Sequence, residues 1–402
     1  MAVTGKNAGD SVAIAASPGA LTCLRRLHKR DINTIVFSHN ANAPCFYSRF
    51  CDKSVLIPSP FTDLQGYTNA LLSIAKQEDV RTIIPSREQD AYVLSKHRAR
   101  FADHVSPLWP SFETLRVVHD RKALVSAARD AGVAAPQTGL VDGVQKAAEQ
   151  CVVKPRYSIL TPDYVETIPA DRIDIVDSVI FSQECDEIDP EAVEAEMKHT
   201  PICQAFIPGE EYGFWALYSE GQAVATCLKR QVRGVSYTGG TSVYRETTHD
   251  ETLEKAGRNL LDHLDWHGFA AVQFKRHAET GEYVLLEINP RVWTSISCPV
   301  RAGVDFPSYF WEVANGGEPT PGTTYESGVG THRLGGELIH LQSILRKTNP
   351  ILDPPPLASS MQSVARSTIE QRGFDYLSVS DPLPFVRDVV NNLDQLTSEA
   401  KP

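Results

Sequence analysis

This 402-residue chain has little positive charge to spare, with 39 Lys and Arg against 50 Asp and Glu. A formal net charge of -11 argues against a broad basic face that tracks a nucleic-acid backbone, although it leaves room for a local basic pocket. No apolar run approaches the length needed to span a bilayer, and the N-terminal MAVTGKNAGD has no cationic-then-apolar signal pattern. The expectation is a cytoplasmic protein with neither a membrane nor a nucleic-acid partner. Cys-x-x-Cys pairs are also missing. The eight cysteines, Cys23, Cys45, Cys51, Cys151, Cys185, Cys203, Cys227 and Cys298, are scattered in mostly apolar company. That pattern predicts buried reduced thiols rather than a disulfide framework or a zinc site. The first strand-to-helix turn, Ser17-Pro18-Gly19-Ala20, holds one glycine and not the three of a dinucleotide fingerprint. A nicotinamide or flavin role is therefore poorly supported.

What is present starts with alternation. From residue 11 to about 108, strand-like SVAIAAS, NTIVFSH and VRTIIPS are separated by helix-like LTCLRRLHKR and YTNALLSIAKQ, which implies a parallel sheet with helical crossovers. Arg87, Glu88 and Asp90 follow the last of these strands at its carboxyl edge, where open parallel sheets place ligands. A helix then opens behind Asp120, carries Arg121 and Lys122 and closes at Gly132. CVVKPR gives a short buried strand that ends at Lys154 before a proline. Residues 157–197 have weak signals and no assignment. ICQAFIPGEEYGFWALYSEGQAVATCLKR alternates as an antiparallel pair, and a helix from Asp250 to about Leu264 leads into the segment VQFKRHAETGEYVLLEINPRVW.

That last segment carries the chemistry. Gln273 and Glu287 lie symmetrically about Thr280, so a hairpin folded there sets their side chains opposite each other on one face. Asn289 shares that face through the two-residue strand period, with the small Ala271 opposite it. Two amides and one carboxylate are hard oxygen ligands of low charge. They suit Mg2+ (or Mn2+) that completes its shell with water and phosphate oxygens. Arg291 stands beside them, ready to meet phosphate oxygens left uncovered by the metal. The plain alternative is an amphipathic hairpin whose polar end simply leaves the sheet.

The order of elements decides between them. A basic helix start, a strand ending in Lys154, the linker QAFIPGEE and the Gln…Glu-x-Asn-Pro-Arg hairpin together resemble the ATP-grasp superfamily over roughly residues 1–316. The hairpin spacing is that of the carbamoyl-phosphate synthase type of nucleotide site. The run through AGVDFP looks most like prokaryotic carboxylate-amine ligases. The resemblance implies ATP and Mg2+ as cofactors, with Gln273, Glu287 and Asn289 as metal ligands and Arg291 on the transferred phosphoryl group. It implies that Lys154 and Arg121 meet phosphates, Lys122 competing for the second role. It assigns Gln204 to the adenine amino group, Glu211 to the ribose hydroxyls, and the backbone of Ala205, Phe206 and Ile207 to the adenine edge. Two departures stand out: PRYSILTPDYVE replaces the usual glycine-rich flap after Lys154, and Gln204 replaces an acid.

The implied fold is mixed α/β and α+β. A Rossmann-like parallel-sheet domain would span residues 1–115, and an ATP-grasp unit residues 116–316, with a lid at about 120–205 and an antiparallel metal-binding half at about 206–316. A C-terminal extension, 317–402, would pack on this core or mediate self-association as a homodimer. The implied reaction joins a small-molecule carboxylate to an amine or thiol through an acyl phosphate, releasing ADP and phosphate. Lys229, Arg230, Arg233 and Arg245, grouped around a Thr-Gly-Gly-Thr turn, are expected to hold the carboxylate; a solvated charged hairpin is the plain alternative. Two rival functions remain. One is phosphorylation of a small carboxylate or carbamate in the manner of carbamoyl-phosphate synthase. The other, of a different class, is a non-catalytic ATP-binding regulator.

Overall fold

A computed structural model describes residues 11–142, 150–176, 178–322, 324–346 and 349–399. The expectation made for the N-terminal decapeptide therefore lies outside the described residues. Among those described, no helix is long and apolar enough to cross a membrane.

Three sheets organise the described residues. The first is parallel, in the order β3-β2-β1-β4, built from β1 (Ser11–Ala15), β2 (Asn33–Ser38), β3 (Lys53–Leu56) and β4 (Val80–Ile84). β1 is buried along its whole length, as expected of a strand covered by helices on both faces. The helices Pro18–His28 and Leu64–Ala75 supply those crossovers, capped by the side chains of Ser17 and Asp63. The edge strand β3, with its polar KSVL sequence, gave no signal in the sequence.

The second sheet is small and antiparallel, in the order β5-β8-β6-β7, from β5 (Thr138–Leu140), β6 (Cys151–Lys154), β7 (Ile180–Ser182) and β8 (Ile202–Ala205). Its own core is Val141, Cys151, Val153, Val193, Met197 and Cys203. Here one expectation fails: Cys151 and Cys185 are paired as a disulfide, while the other six cysteines are free. The pairing was hidden in a separation of 34 residues. Cys151 faces Ser182 across the β6–β7 ladder, and the chain turns back after β7, so Cys185 returns to Cys151.

The third sheet is the largest. Its order is β13-β12-β9-β10-β11-β14, from β9 (Gly209–Ser219), β10 (Gln222–Ser236), β11 (Gly239–Thr248), β12 (Gly268–His277), β13 (Tyr283–Asn289) and β14 (Gly330–His332). The helix Glu251–His263, capped by Asp250, lays Leu253, Leu260 and Leu261 on one face of this sheet with Phe214, Ala216 and Val272. On the other face Trp215, Ala271 and Phe269 join the core of the parallel-sheet unit. β14 lies beyond residue 316, where a separate extension was expected to begin, yet it pairs with β11. The C-terminal region thus supplies the edge of the central sheet.

Candidate active site

The β12–β13 hairpin has the expected register where the chemistry lies: Ala271 faces Asn289 and Gln273 faces Glu287. Nearer the turn the register shifts, with Phe274 facing Leu285, so Leu286 is an extra residue in β13. A bulge of this kind turns two consecutive side chains to one side. Leu286 and Glu287 consequently both line the same cavity, whereas simple alternation would have sent Leu286 to the opposite face.

That cavity holds about 730 Å3 and is bounded by both antiparallel sheets. Gln273, Glu287, Asn289 and Arg291 meet on its floor. Asn289 Nδ2 donates to Glu287 Oε1 at 3.0 Å, and Arg291 Nη2 donates to Asn289 Oδ1 at 2.9 Å. Three oxygen-bearing side chains with a single carboxylate converge there, a donor set that fits Mg2+ or Mn2+. Arg291 is anchored from another part of the chain: its Nε donates to Glu88 Oε1 at 2.6 Å, while His119 Nε2 lies 3.2 Å from Glu88 Oε2. Burial alone would raise the Glu88 carboxyl, but the Arg291 guanidinium and His119 hold it down to about 2. Glu88 was read in the sequence only as a rim residue.

Above this floor stand the basic residues. Arg121 opens the helix Arg121–Asp130, donates to the Pro155 carbonyl at 2.8 Å, and lies 3.9 Å from Glu287 Oε2. Lys154 ends β6 at the cavity wall, where desolvation, and then the nearby Arg121, push its ammonium down to about 7. Lys122 does not line the cavity.

The far end is apolar, lined by Pro136, Val152, Phe181, Phe206, Ile207 and Leu286. Phe206 meets Phe181 edge to face at 6.3 Å and carries the Lys275 ammonium 5.0 Å from its ring centre. Gln204 lines this end with its Nε2 donating to Thr138 Oγ1 at 2.9 Å, which leaves its carbonyl oxygen as acceptor. The backbone of Ala205 to Ile207 is partly committed to the fold. The N–H groups of Ala205 and Phe206 donate to the carbonyls of Gln137 and Gln150, and the Ile207 carbonyl accepts from Lys275. These bonds involve two N–H groups and one carbonyl of the run, and Ala205, Phe206 and Ile207 all line the cavity. Glu211 also lines the cavity, accepts from Gln231 Nε2 at 2.7 Å, and is pushed upward by burial.

The four cations expected to hold a substrate separate. Lys229 is in the cavity, passing over Gly213, where an added Cβ would come within 2.6 Å of its Cε. Desolvation pushes its ammonium down to about 8. The other three point elsewhere. Arg230 pairs at the surface with Glu210, Arg233 with the buried Glu337, and the fully buried Arg245 with Asp375. Their acidic partners for Arg233 and Arg245 lie more than a hundred residues away in sequence, beyond reach of local pattern.

Residues that the pattern missed also line the cavity. Trp215 and Trp293 stack at 5.5 Å and 8° on the side of Thr294 and Ser295. The segment after Lys154 does not close over the cavity through Arg156 or Ser158. Arg156 is bound to Asp120 at 2.6 Å, and Ser158 N–H donates to the His119 carbonyl. Val176, Ser178 and Val179 line it instead.

With its three sheets in this arrangement, the chain has the ATP-grasp fold. Within it, residues 198–332 match the family described as ATP-grasp in the biosynthetic pathway with Ter operon. That span ends on β14, in keeping with the strand's place in the central sheet. The N-terminal section of the carbamoyl phosphate synthase large chain from Methanopyrus kandleri is 30% identical over 124 residues, covering 27% of this chain and 22% of that protein. Among solved structures, an ADP complex of N5-carboxyaminoimidazole ribonucleotide synthetase superposes with a TM-score of 0.63 at 14% identity, over 90% of this chain and 97% of the other. L-amino acid ligase from Bacillus licheniformis gives 0.55 at 14% identity, over 77% and 75%. At these identities the structural likeness speaks for the fold.

Proposed function

We propose that the chain is an ATP-dependent ligase that activates a small carboxylate as an acyl phosphate and passes it to an amine or a thiol. The observation that carries this reading is that one cavity is lined by all three kinds of group a nucleotide needs: an apolar slot at Phe206 and Leu286, cations at Lys154 and Arg121, and the Gln273, Glu287, Asn289 and Arg291 face. Adenine would lie in the slot with Gln204 at its amino group. Glu211 would take the ribose hydroxyls. Lys154 and Arg121 would neutralise phosphate charge, and Gln273, Glu287 and Asn289 would hold Mg2+. When bound, that ion would draw charge from the phosphate oxygens.

The remaining work is alignment of two anions, for which cations and a fixed geometry suffice. A carboxylate oxygen attacks the γ-phosphorus, the β–γ bridging P–O bond breaks, and ADP leaves. The amine nitrogen or thiol sulfur then attacks the acyl carbon, phosphate leaves, and one proton is lost. Arg291, held by Glu88, would steady the transferred group. Lys229 would meet the carboxylate, and the Trp215–Trp293 pair would form an apolar wall beside it.

The partial likeness to a carbamoyl phosphate synthase section supports a second reading, in which the product is an acyl or carbamoyl phosphate released without an acceptor. One experiment separates these. ADP release is measured with Mg-ATP against small carboxylates and amino acids, each with and without amines and thiols, and Glu287→Ala serves as blank. The ligase reading expects release that needs a particular carboxylate and accelerates with one acceptor. Release with no acceptor dependence favours the second. ATP binding without release from any pair supports a regulatory nucleotide binder.

A further inference from the structure

The small sheet has two different faces. Val152, Lys154 and Gln204 line the cavity, whereas Cys151 and Cys203 belong to the core on the opposite side. The two cysteines sit on neighbouring antiparallel strands, offset by two pairs and so on one face, with Cys151 opposite Ala205 and Cys203 opposite Val153. Cys185 comes back over them from the turn that follows β7. The three Sγ atoms all lie within 4.8 Å of one another. Cys151 and Cys203 are almost fully buried, and Cys185 is half-buried.

We propose that, once the Cys151–Cys185 bond is reduced, Cys151, Cys185 and Cys203 form a three-thiolate site for one thiophilic metal ion of the Zn2+ class. A disulfide explains two of these thiols and asks nothing of the third. A zinc–thiolate bond of about 2.3 Å sets its sulfurs roughly 3.8 Å apart. That spacing lies inside the observed 4.8 Å limit, so side-chain rotation suffices once the disulfide opens. A water would complete the tetrahedron on the half-buried Cys185 side. The flanking Glu184 and Glu187 add negative charge at this entrance.

The chemistry balances. A dithiol reductant gives two electrons and two protons to the disulfide, leaving two thiols here and a disulfide on the reductant. Metal binding then releases three protons as three thiols become thiolates. Burial raises the Cys203 thiol, so protons compete with the metal and affinity climbs with pH. An ion there would tie β6 to β8 and to the turn after β7. β6 and β8 carry Lys154 and Gln204 on the cavity side, and β7, just before the turn, carries Phe181. The site does not depend on the identity of the reaction.

The test uses the full chain, reduced with a dithiol that is removed under nitrogen, then titrated with Cd2+ as probe. The sulfur-to-cadmium charge-transfer band counts the thiolates bound. The expected result is one Cd2+ per chain with three thiolates, displaced by Zn2+, and loss of the band in both Cys203→Ser and Cys185→Ser. Cys227→Ser, a buried thiol in another core, keeps it. Circular dichroism shows whether each variant folds; were Cys203→Ser to unfold, Cys203→Ala and Cys185→Ser would carry the test. A band that survives loss of Cys203 overturns the proposal. So does a reduced chain that binds no Cd2+ and regains only the Cys151–Cys185 disulfide, seen as loss of two hydrogens by mass spectrometry, which leaves a simple thiol–disulfide link.

Discussion

Lys154 ends β6 at the wall of the cavity, where desolvation pushes its ammonium down to about 7. A polyphosphate beside it would favour the charged form and raise that value. Binding of ATP just above neutrality should therefore take up a proton, and affinity should fall as pH rises through 7. Calorimetry in buffers of different ionisation enthalpy measures this uptake, and Lys154→Met should abolish it. Glu287 is placed differently. Its carboxylate is partly exposed in the cavity, 3.9 Å from Arg121, so its loss opens no hydrophobic core. Glu287→Ala should reduce Mg-dependent turnover roughly 100-fold or more while the thermal melt stays within a few degrees of the wild type. A melt lowered as much as activity would instead mark Glu287 as a structural residue.

At the scale of elements, the β12–β13 hairpin was the most legible part of the chain, because strand period and hairpin symmetry fix which side chains share a face. Gln273, Glu287 and Asn289 came out together, although their register also rests on the extra residue at Leu286, because the pairs nearer the turn, such as Arg276 with Tyr283, are centred half a residue earlier. The bulge itself did not come out, since an extra residue leaves no mark in the alternation of Val, Leu and Ile. Residues 157–197 were opaque for a different reason. Much of that stretch is irregular and held by particular contacts, such as Arg156 on Asp120 and Leu160 on Asp174, rather than by a periodic apolar face. Glu88 shows how elements far apart in sequence complete the site: it starts the helix Glu88–Lys96 after β4 and fixes an arginine 203 residues later. Glu88→Gln keeps the shape but removes the charge that holds Arg291. The expected result is roughly a tenfold loss of kcat, with the ATP concentration for half saturation little changed. An unchanged kcat would mean that Arg291 needs no such anchor.

The whole molecule is stitched together by ions buried between distant segments. Arg245 bridges β11 to Asp375, which also accepts from Ser297, and Arg233 is bound by Glu337 and Ser367. Arg25 reaches Asp381 from the first helix. None of these partners follows from local pattern, which is why two of these arginines were read as ligands for a substrate. Arg245→Ala leaves the Asp375 carboxylate buried without its guanidinium, and should lower stability by about 3–5 kcal/mol in denaturant unfolding. Any activity that survives should show an ordinary substrate dependence. A stable variant with a selectively raised KM would restore Arg245 to the substrate site. The same stitching explains why the region after residue 316 is continuous with the sheet that ends on β14.

The central claim is that one ATP binds in this cavity through Lys154 and through a metal held on the β12–β13 hairpin. Titration calorimetry of ATP, with Mg2+ and with chelator, into the full chain, Lys154→Met and Glu287→Ala tests it without knowledge of the substrate. The account predicts one ATP per wild-type chain and tighter binding with Mg2+. It predicts binding roughly tenfold or more weaker in Lys154→Met, and loss of the Mg2+ effect in Glu287→Ala. ATP that fails to bind the wild type, or binds all three proteins alike with or without Mg2+, would contradict it.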